Sequence, residues 1–364
     1  MLVTSVGLVM MGHPQVDGKG YQRRATEIVE SLRGIAEVRV VSFELSAPLR
    51  AMLRGIIEIG HHPGLPLQVA WVRGLSPADL EGELSDLDLI IFLTSRVVPQ
   101  VLPQPCIVDL VDSLGLAAGR RATICRGLAR VFWMCEARRM DRWERHVVGI
   151  ASASVTVCQD DADHVGHGAQ VIPLILPTIT EAFGGRRVVF TGNLRFRPNE
   201  AAAIWFCDIL APSLKQYGLP ISQLLIAGRA PRGRLRRRAA RAGVELRADV
   251  ATIAEVLRDS AVAVAPMSVA TGQQSKVLDA VATRVPVVMS PVAARGLPLR
   301  DGASALIRER SPDTFAGAVA AILNDPDLGR RLASQAILDC KDMESASVHA
   351  RWRTLLATVL DTQP

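Results

Sequence analysis

Residues 262–297 read VAVAPMSVATGQQSKVLDAVATRVPVVMSPVAARGL, and this stretch decides the fold. Val262 to Ala265 is a short apolar run of the kind a buried parallel strand shows. Pro266 ends it, and a small polar loop follows through Ser268, Thr271, Gly272, Gln273, Gln274 and Ser275. A helix is expected from Ser275 or Lys276, with Val277, Leu278 and Val281 at helical spacing. Val285 to Met289 reads as a second buried strand, and Pro291 and Gly296 punctuate its exit. Strand, polar loop, helix and strand make a βαβ unit. Its loop lies at the carboxyl end of a strand, where open α/β sheets bind ligands.

The chemistry such a loop offers is anion binding. Gly272 lets the backbone approach a ligand closely, and the free N–H groups of a helix start point at it. Lys276 adds a full charge about one turn inside, and Asp279 shares its face three residues later. A carboxylate there can accept hydrogen bonds from ribose hydroxyls while the lysine and the amides hold phosphates. On these residues alone a Lys–Asp surface pair on a helix is the favoured explanation of the pattern.

The rest of the second half repeats the alternation. Strands are expected at Val188–Thr191, Gln223–Ala227, Val262–Ala265 and Val285–Met289. Helices are expected near Asn199–Tyr217, Arg232–Ala242, Ile253–Arg258 and Ser275–Ala282, which together argue a doubly wound parallel sheet. Gly192 and Asn193 follow the first of these strands, and Gly228 and Arg229 the second. The arginine run 232–238 reads as a solvated helix face, with Arg229 the one placed to reach phosphate. Gln170 to Gly185, holding Pro173 and Pro177, reads as the interdomain linker.

The first half reads as strands at Val3–Met10, Val38–Phe43, Leu87–Thr94, Cys106–Asp112 and Ser154–Gln159. Asp112, at a strand's carboxyl end, is its best carboxylate candidate. Either Asp112 or Ser113 could instead cap the helix that follows. Leu49–Ile59 is amphipathic, His61 and His62 belong to a turn, and His13 sits in a Gly/Pro loop. Asp86 and Asp88 form a D-x-D that opens an apolar strand and is discounted as a metal site. Leu116 to Val148 reads as one long basic helix, with Phe132, Trp133, Met134 and Trp143 among its arginines. It is expected to be core ringed by snorkelling charges, with Glu136, Asp141 and Glu144 interrupting the basic face. Contact with a membrane surface is the alternative.

Composition bounds the classes. The 364 residues suffice for two cores, and 49% are hydrophobic, which excludes a disordered chain. A net charge of +6 suits an anionic partner. Aromatic residues are only 4% and do not interleave with basic ones, so nucleic acid is not expected as a partner. The six cysteines are scattered without a C-x-x-C pair, which argues against a zinc site or a disulfide framework. The amino terminus lacks a basic n-region, and no apolar span reaches membrane-crossing length, so a cytoplasmic protein is expected.

Residues 262–297 resemble the donor-binding motif of glycosyltransferase family 4, in which a Gly-containing loop leads into K-x-x-E-A and x-x-P-V-V. The loop is most similar to the exopolysaccharide-associated branch. VVFTGNLRFRPNEA at 188–201 is similar to that branch's F-x-G-N-x-x-x-x-P-N-x-x-A. DLVDS at 109–113, EARRMDRWE at 136–144 and GKGYQRR at 18–24 resemble its remaining motifs, so the likeness spans most of the chain. Two positions depart from it. Asp279 replaces a glutamate expected at the ribose, and Thr271 stands where the wider family has a glutamate near the sugar.

The resemblance implies the GT-B fold, an α/β architecture of two Rossmann-like doubly wound domains facing across a cleft. The expected boundaries are 1–170 for an acceptor domain, 171–346 for a donor domain, and 347–364 for a helix crossing back. It implies a retaining, metal-independent hexosyltransferase that needs no cofactor beyond its nucleotide-diphosphate sugar (UDP-, GDP- or dTDP-linked). The donor would be held by Gly192, Asn193, Arg229, Thr271, Gly272, Gln273, Gln274, Ser275, Lys276 and Asp279. Lys19, Gly20 and Arg24 would meet a hydroxyl-bearing acceptor, with Asp112 and Lys276 as catalytic groups. A non-catalytic nucleotide-sugar-binding protein and a sugar-nucleotide epimerase are the rival readings.

Overall fold

The computed structural model of the chain describes residues 4–12, 20–43, 62, 64–73, 75, 80–103, 105–179 and 184–362. His13, Lys19, the amphipathic run 49–59 and His61 lie outside the described residues. The chain forms two compact units, one of residues 1–174 with 346–364, the other of residues 175–345.

The first unit is built on strands β1 (Thr4–Met11), β2 (Ala36–Phe43), β3 (Leu89–Leu93), β4 (Cys106–Val111), β5 (Ala153–Thr156) and β6 (Gln170–Val171). They pair in parallel in the order β2-β1-β3-β4-β5-β6. The central strand β3, LIIFL, is buried at every residue, which is why it reads as a continuous apolar run. Strands β1 and β3 are neighbours, so the strand order reverses between them. Helices α1 (Gly20–Leu32), α2 (Leu67–Arg73), α3 (Leu114–Ile124) and α4 (Gly127–Ile150) belong to this unit.

Two expectations for this half are corrected. The linker expected from Gln170 begins instead as strand β6, with Ile172, Leu174, Ile175 and Leu176 buried behind it. The single helix expected over 116–148 is two helices. Cys125 and Arg126 are extended between them, and Gly127 takes φ +56°, a conformation that glycine adopts without strain.

Arg24, on α1, is the hub of the unit. Its side chain is fully buried, yet every face of the guanidinium is engaged. Nε donates to Asp109 Oδ2 at 2.7 Å, Nη1 to the Pro173 carbonyl at 2.9 Å, and Nη2 to the Ile172 carbonyl at 2.8 Å. The Trp352 ring of the C-terminal helix (Ser345–Asp361) stacks 5.0 Å from its carbon. Asp109 also accepts from the Val111 N–H at 2.8 Å. A buried ion pair offsets its desolvation only with such full hydrogen bonding. Arg24 was expected to contact an acceptor; its donors are instead committed to the interior.

The second unit has strands β7 (Arg187–Asn193), β8 (Leu224–Arg229), β9 (Glu245–Ala248), β10 (Ser260–Ala265), β11 (Val287–Met289) and β12 (Leu306–Ile307). All are parallel, in the order β12-β11-β10-β7-β8-β9. The order reverses between β7 and β10, which opens a crevice beyond their carboxyl ends. The expected helix over 199–217 carries a π-helical turn at Phe206–Leu210 between two α-helical pieces. Helix α5 (Arg197–Trp205) follows β7, and α6 (Ser275–Ala282) follows β10.

Replacing Arg24 by Met strands Asp109 as an uncompensated buried charge. We expect urea unfolding to show a loss of about 3–5 kcal/mol. The double variant Arg24→Met/Asp109→Leu should lose less than the sum of the two single variants, and strictly additive losses would mean that the pair is not coupled.

Candidate functional site

The switch point of the second unit gathers the residues that the sequence singles out. At the end of β7 Gly192 stands opposite Gly228 on β8, and the last residue, Asn193, opposite Arg229. The pairing is close. A Cβ on Gly228 would lie 1.8 Å from the Gly192 carbonyl oxygen, so no larger residue fits without moving backbone. A Cβ on Gly192 would lie 3.1 Å from Asn199 Nδ2 and 3.4 Å from Lys276 Cε. The lysine stem therefore crosses directly over the end of β7.

Asn199, on α5, shapes the turn beneath. Its Nδ2 donates to the Asn193 carbonyl at 3.0 Å, while Asn193 Oδ1 accepts from the Arg195 N–H at 3.1 Å. Asn199 was read only as part of a motif, and its spacing of six from Asn193 is the signal that a side chain on the first helical turn can reach back. The neighbouring turn is strained. Ala230 and Asp249 both have positive φ, and Asp249 Oδ1 accepts from the Ala230 N–H at 2.8 Å. Arg229 is exposed at the end of β8.

The loop after β10 closes on itself through two glutamines. Gln273 is buried and donates to the Gly296 carbonyl at 2.8 Å, tying the loop after β10 to the one after β11. Gln274 donates to the Thr271 carbonyl at 3.1 Å, and its Oε1 accepts from Lys276 Nζ at 3.0 Å. Gly272 takes φ +55°. Ser275 opens α6, with Lys276 in its first turn, so the ammonium and the helix-start N–H groups lie together. Desolvation lowers the Lys276 pKa to about 8, and the Asp279 charge opposes that shift. A desolvated ammonium at the start of a helix is an environment that an anion improves.

The first unit holds Asp112 just past β4, after Val111 at φ +63°. Of the two candidate caps it is Ser113 that serves, its Oγ accepting from the Leu116 N–H at 3.1 Å. Ser113 Oγ in turn donates to Glu144 Oε2 at 2.7 Å. Glu144 also accepts from the Leu114 and Gly115 N–H groups and from Ser95 Oγ. Far from interrupting a surface charge face, Glu144 is fully buried, and desolvation pushes its pKa up to about 7 against these four donors. Glu136 is likewise buried, accepting from the Leu67 and Gln68 N–H groups at the start of α2. Arg96, which the sequence reading did not single out, bonds Gln68 Oε1. Burial lowers its pKa, while the Asp112 and Glu144 charges raise it. Gly20 is the first residue of α1.

The discounted D-x-D is structural. Asp86 pairs with Arg39 at 2.8 Å, and Asp88 accepts from the Ser5 N–H at 2.7 Å. Among the described residues no group of three or more His, Cys, Asp or Glu side chains is placed to hold a metal ion.

Comparison with known proteins adds to this geometry. Sucrose-phosphate synthase from Thermosynechococcus elongatus superposes with a TM-score of 0.73 at 13% identity, covering 99% of this chain and 100% of that one. The fold is GT-B. Anabaena HepE in complex with UDP shares it, with a TM-score of 0.67 at 14% identity over 98% of this chain and all of that one. So does WaaG, a glycosyltransferase involved in lipopolysaccharide biosynthesis, at 0.65 and 13% identity over 96% and 99%. Residues 185–325, within the second unit of this GT-B chain, match the family described as "Glycosyl transferases group 1". Curated protein sequences give no match.

The glycine pair yields a graded expectation. Gly228→Ala should prevent the second unit from folding, read as loss of its thermal transition. Gly192→Ala should cost less, since the atoms it meets are side chains that can shift, but its φ of +155° strains any larger residue, so a lowered melting temperature is expected, with Lys276 displaced. A Gly228→Ala protein that melts normally would contradict the close β7–β8 approach.

Proposed function

We propose that the chain is a retaining glycosyltransferase that moves a sugar from a nucleotide-diphosphate sugar to a hydroxyl acceptor. One observation carries this reading above the others: the Lys276 ammonium and the start of α6 converge on the end of β7 at the switch point. The group 1 match over 185–325 and the neighbours' complexes support it, since HepE is described with UDP and with UDP-glucose.

The reaction breaks the bond between the sugar's anomeric carbon and the diphosphate oxygen, and negative charge grows on the departing diphosphate. Lys276, the amides of residues 271–275 and the α6 dipole stabilise that charge, so the donor unit supplies the electrostatic work from its own groups and no metal is invoked. Gly192 and Gly228 keep side chains away from the phosphates, and Arg229 adds a second cation. Asp279, on the Lys276 face, accepts from a ribose hydroxyl. The acceptor oxygen bonds to the anomeric carbon on the face that the diphosphate leaves, and its proton passes to Asp112 or to the departing phosphate. Acceptors are glycans, lipid-linked saccharides or small natural products carrying a free hydroxyl.

Calorimetry with UDP, GDP and dTDP tests the site. One of them should bind, and Lys276→Ala should weaken that binding by about 2–3 kcal/mol. Binding without transfer to any acceptor would favour the non-catalytic reading. The pH dependence follows from the Lys276 pKa of about 8. A bound diphosphate favours the charged amine, so above pH 8 binding must take up a proton, and affinity should fall by up to about tenfold per pH unit. Lys276→Gln should flatten that slope; a wild-type affinity constant from pH 7 to 9.5 would remove the ammonium from the site. Asp112→Asn should lower kcat while leaving donor affinity unchanged, and an unchanged kcat would exclude Asp112 as the proton acceptor.

A further inference from the structure

The antiparallel pair α3–α4 carries an apolar surface that sugar transfer does not use. Three contacts fix the pairing: the Leu114 N–H donates to Glu144 Oε1 at 2.8 Å, a Cβ on Gly115 would meet the Asp141 carboxylate, and Arg121 stacks 4.2 Å from the Trp133 ring. Leu114 follows the end of β4 almost directly, so Glu144 marks the carboxyl edge of the sheet. Only the last turns of α4 are needed to return to the start of β5. The rest of α4, with α3, therefore extends about 15 Å beyond the strand ends.

At the tip Leu128 is 89% exposed, Ile124 59%, Val131 57% and Phe132 46%. Phe132 meets Trp133 edge to face at 5.3 Å. Phe132 and Met134 were expected to be core, and the structure places the first two turns of α4 in water instead. A contiguous apolar cluster of this kind marks an interaction surface. Its charge says with what. Residues 113–135 contain Arg120, Arg121, Arg126 and Arg130 and no Asp or Glu. A second copy docked symmetrically would press these arginines against their own equivalents. A surface of lipid phosphates meets both features, taking the apolar side chains into the acyl boundary and the guanidiniums onto the headgroups.

We infer that the α3–α4 tip docks on an anionic lipid bilayer, with Leu128, Val131 and Phe132 entering it and Arg126 and Arg130 holding its phosphates. The inference rests on the first unit alone and stands or falls separately from the transfer reading.

The test is sedimentation of the full chain with vesicles of equal parts phosphatidylglycerol and phosphatidylcholine, and with phosphatidylcholine alone. Binding is expected to the anionic vesicles and to be weaker on the neutral ones. Leu128→Ser/Phe132→Ser should reduce it about tenfold or more, and Arg126→Gln/Arg130→Gln should bring it to the neutral level. All four positions are exposed, so both variants should keep the wild-type melting temperature. No binding to either vesicle, equal binding to both, or binding indifferent to the serine pair would overturn the inference. Light scattering that shows a wild-type dimer, converted to a monomer by the serine pair, would overturn it in favour of a second copy.

Discussion

A cation withdrawn from water is costly unless something negative answers it, and the two units answer differently. In the first unit the anion is built in. Arg24 meets Asp109, two carbonyls and an indole face, and its side chain is sealed from solvent. In the second unit Lys276 is held by a neutral amide oxygen, with a carboxylate acting from the next turn. The same physics makes one group a rivet and the other a receptor. Sequence context alone does not separate them, because both sit near the start of a helix after a strand.

The geometry around Lys276 follows from strand order. Parallel strands deliver all their carboxyl ends to one edge, and the reversal between β7 and β10 leaves a gap that no helix crossover covers. Two glycines allow β7 and β8 to approach at that edge, two glutamines close the loop after β10, and Asn199 braces the turn beneath. Each contributes a hydrogen bond or the lack of a side chain. Together they place the Lys276 ammonium beside the start of α6 at the end of β7.

Much of this was legible because central parallel strands are buried on both faces and must read as apolar runs. Val188–Thr191, Val262–Ala265 and Val285–Met289 do so, and the polar loop between the last two stands out against them. The strands that escaped reading are β6, β9 and β12, which lie at sheet edges, are two to four residues long, and mix polarity as in Glu245–Ala248. The break at Cys125–Arg126 carries no proline, so helical periodicity runs through it unmarked. Periodicity also fails to say whether an apolar stripe finds a partner, and for that reason Phe132 and Met134 read as core while Glu144 reads as surface. Arg24 and Glu144 show the same gap from the other side. A buried charge is recognised by its partners, and those are distant in sequence.

The first unit is discontinuous: its final helix is joined to the rest only after the whole second unit has been threaded through the chain. During synthesis Arg24 and Asp109 leave the ribosome long before Trp352 exists to cover them. The nascent first unit must therefore wait, with one wall of its interior open, while the second unit emerges and folds as a continuous segment. The last helix thus acts as a latch on a part of the molecule made well before it, whose final compaction waits until the whole second unit has been synthesised.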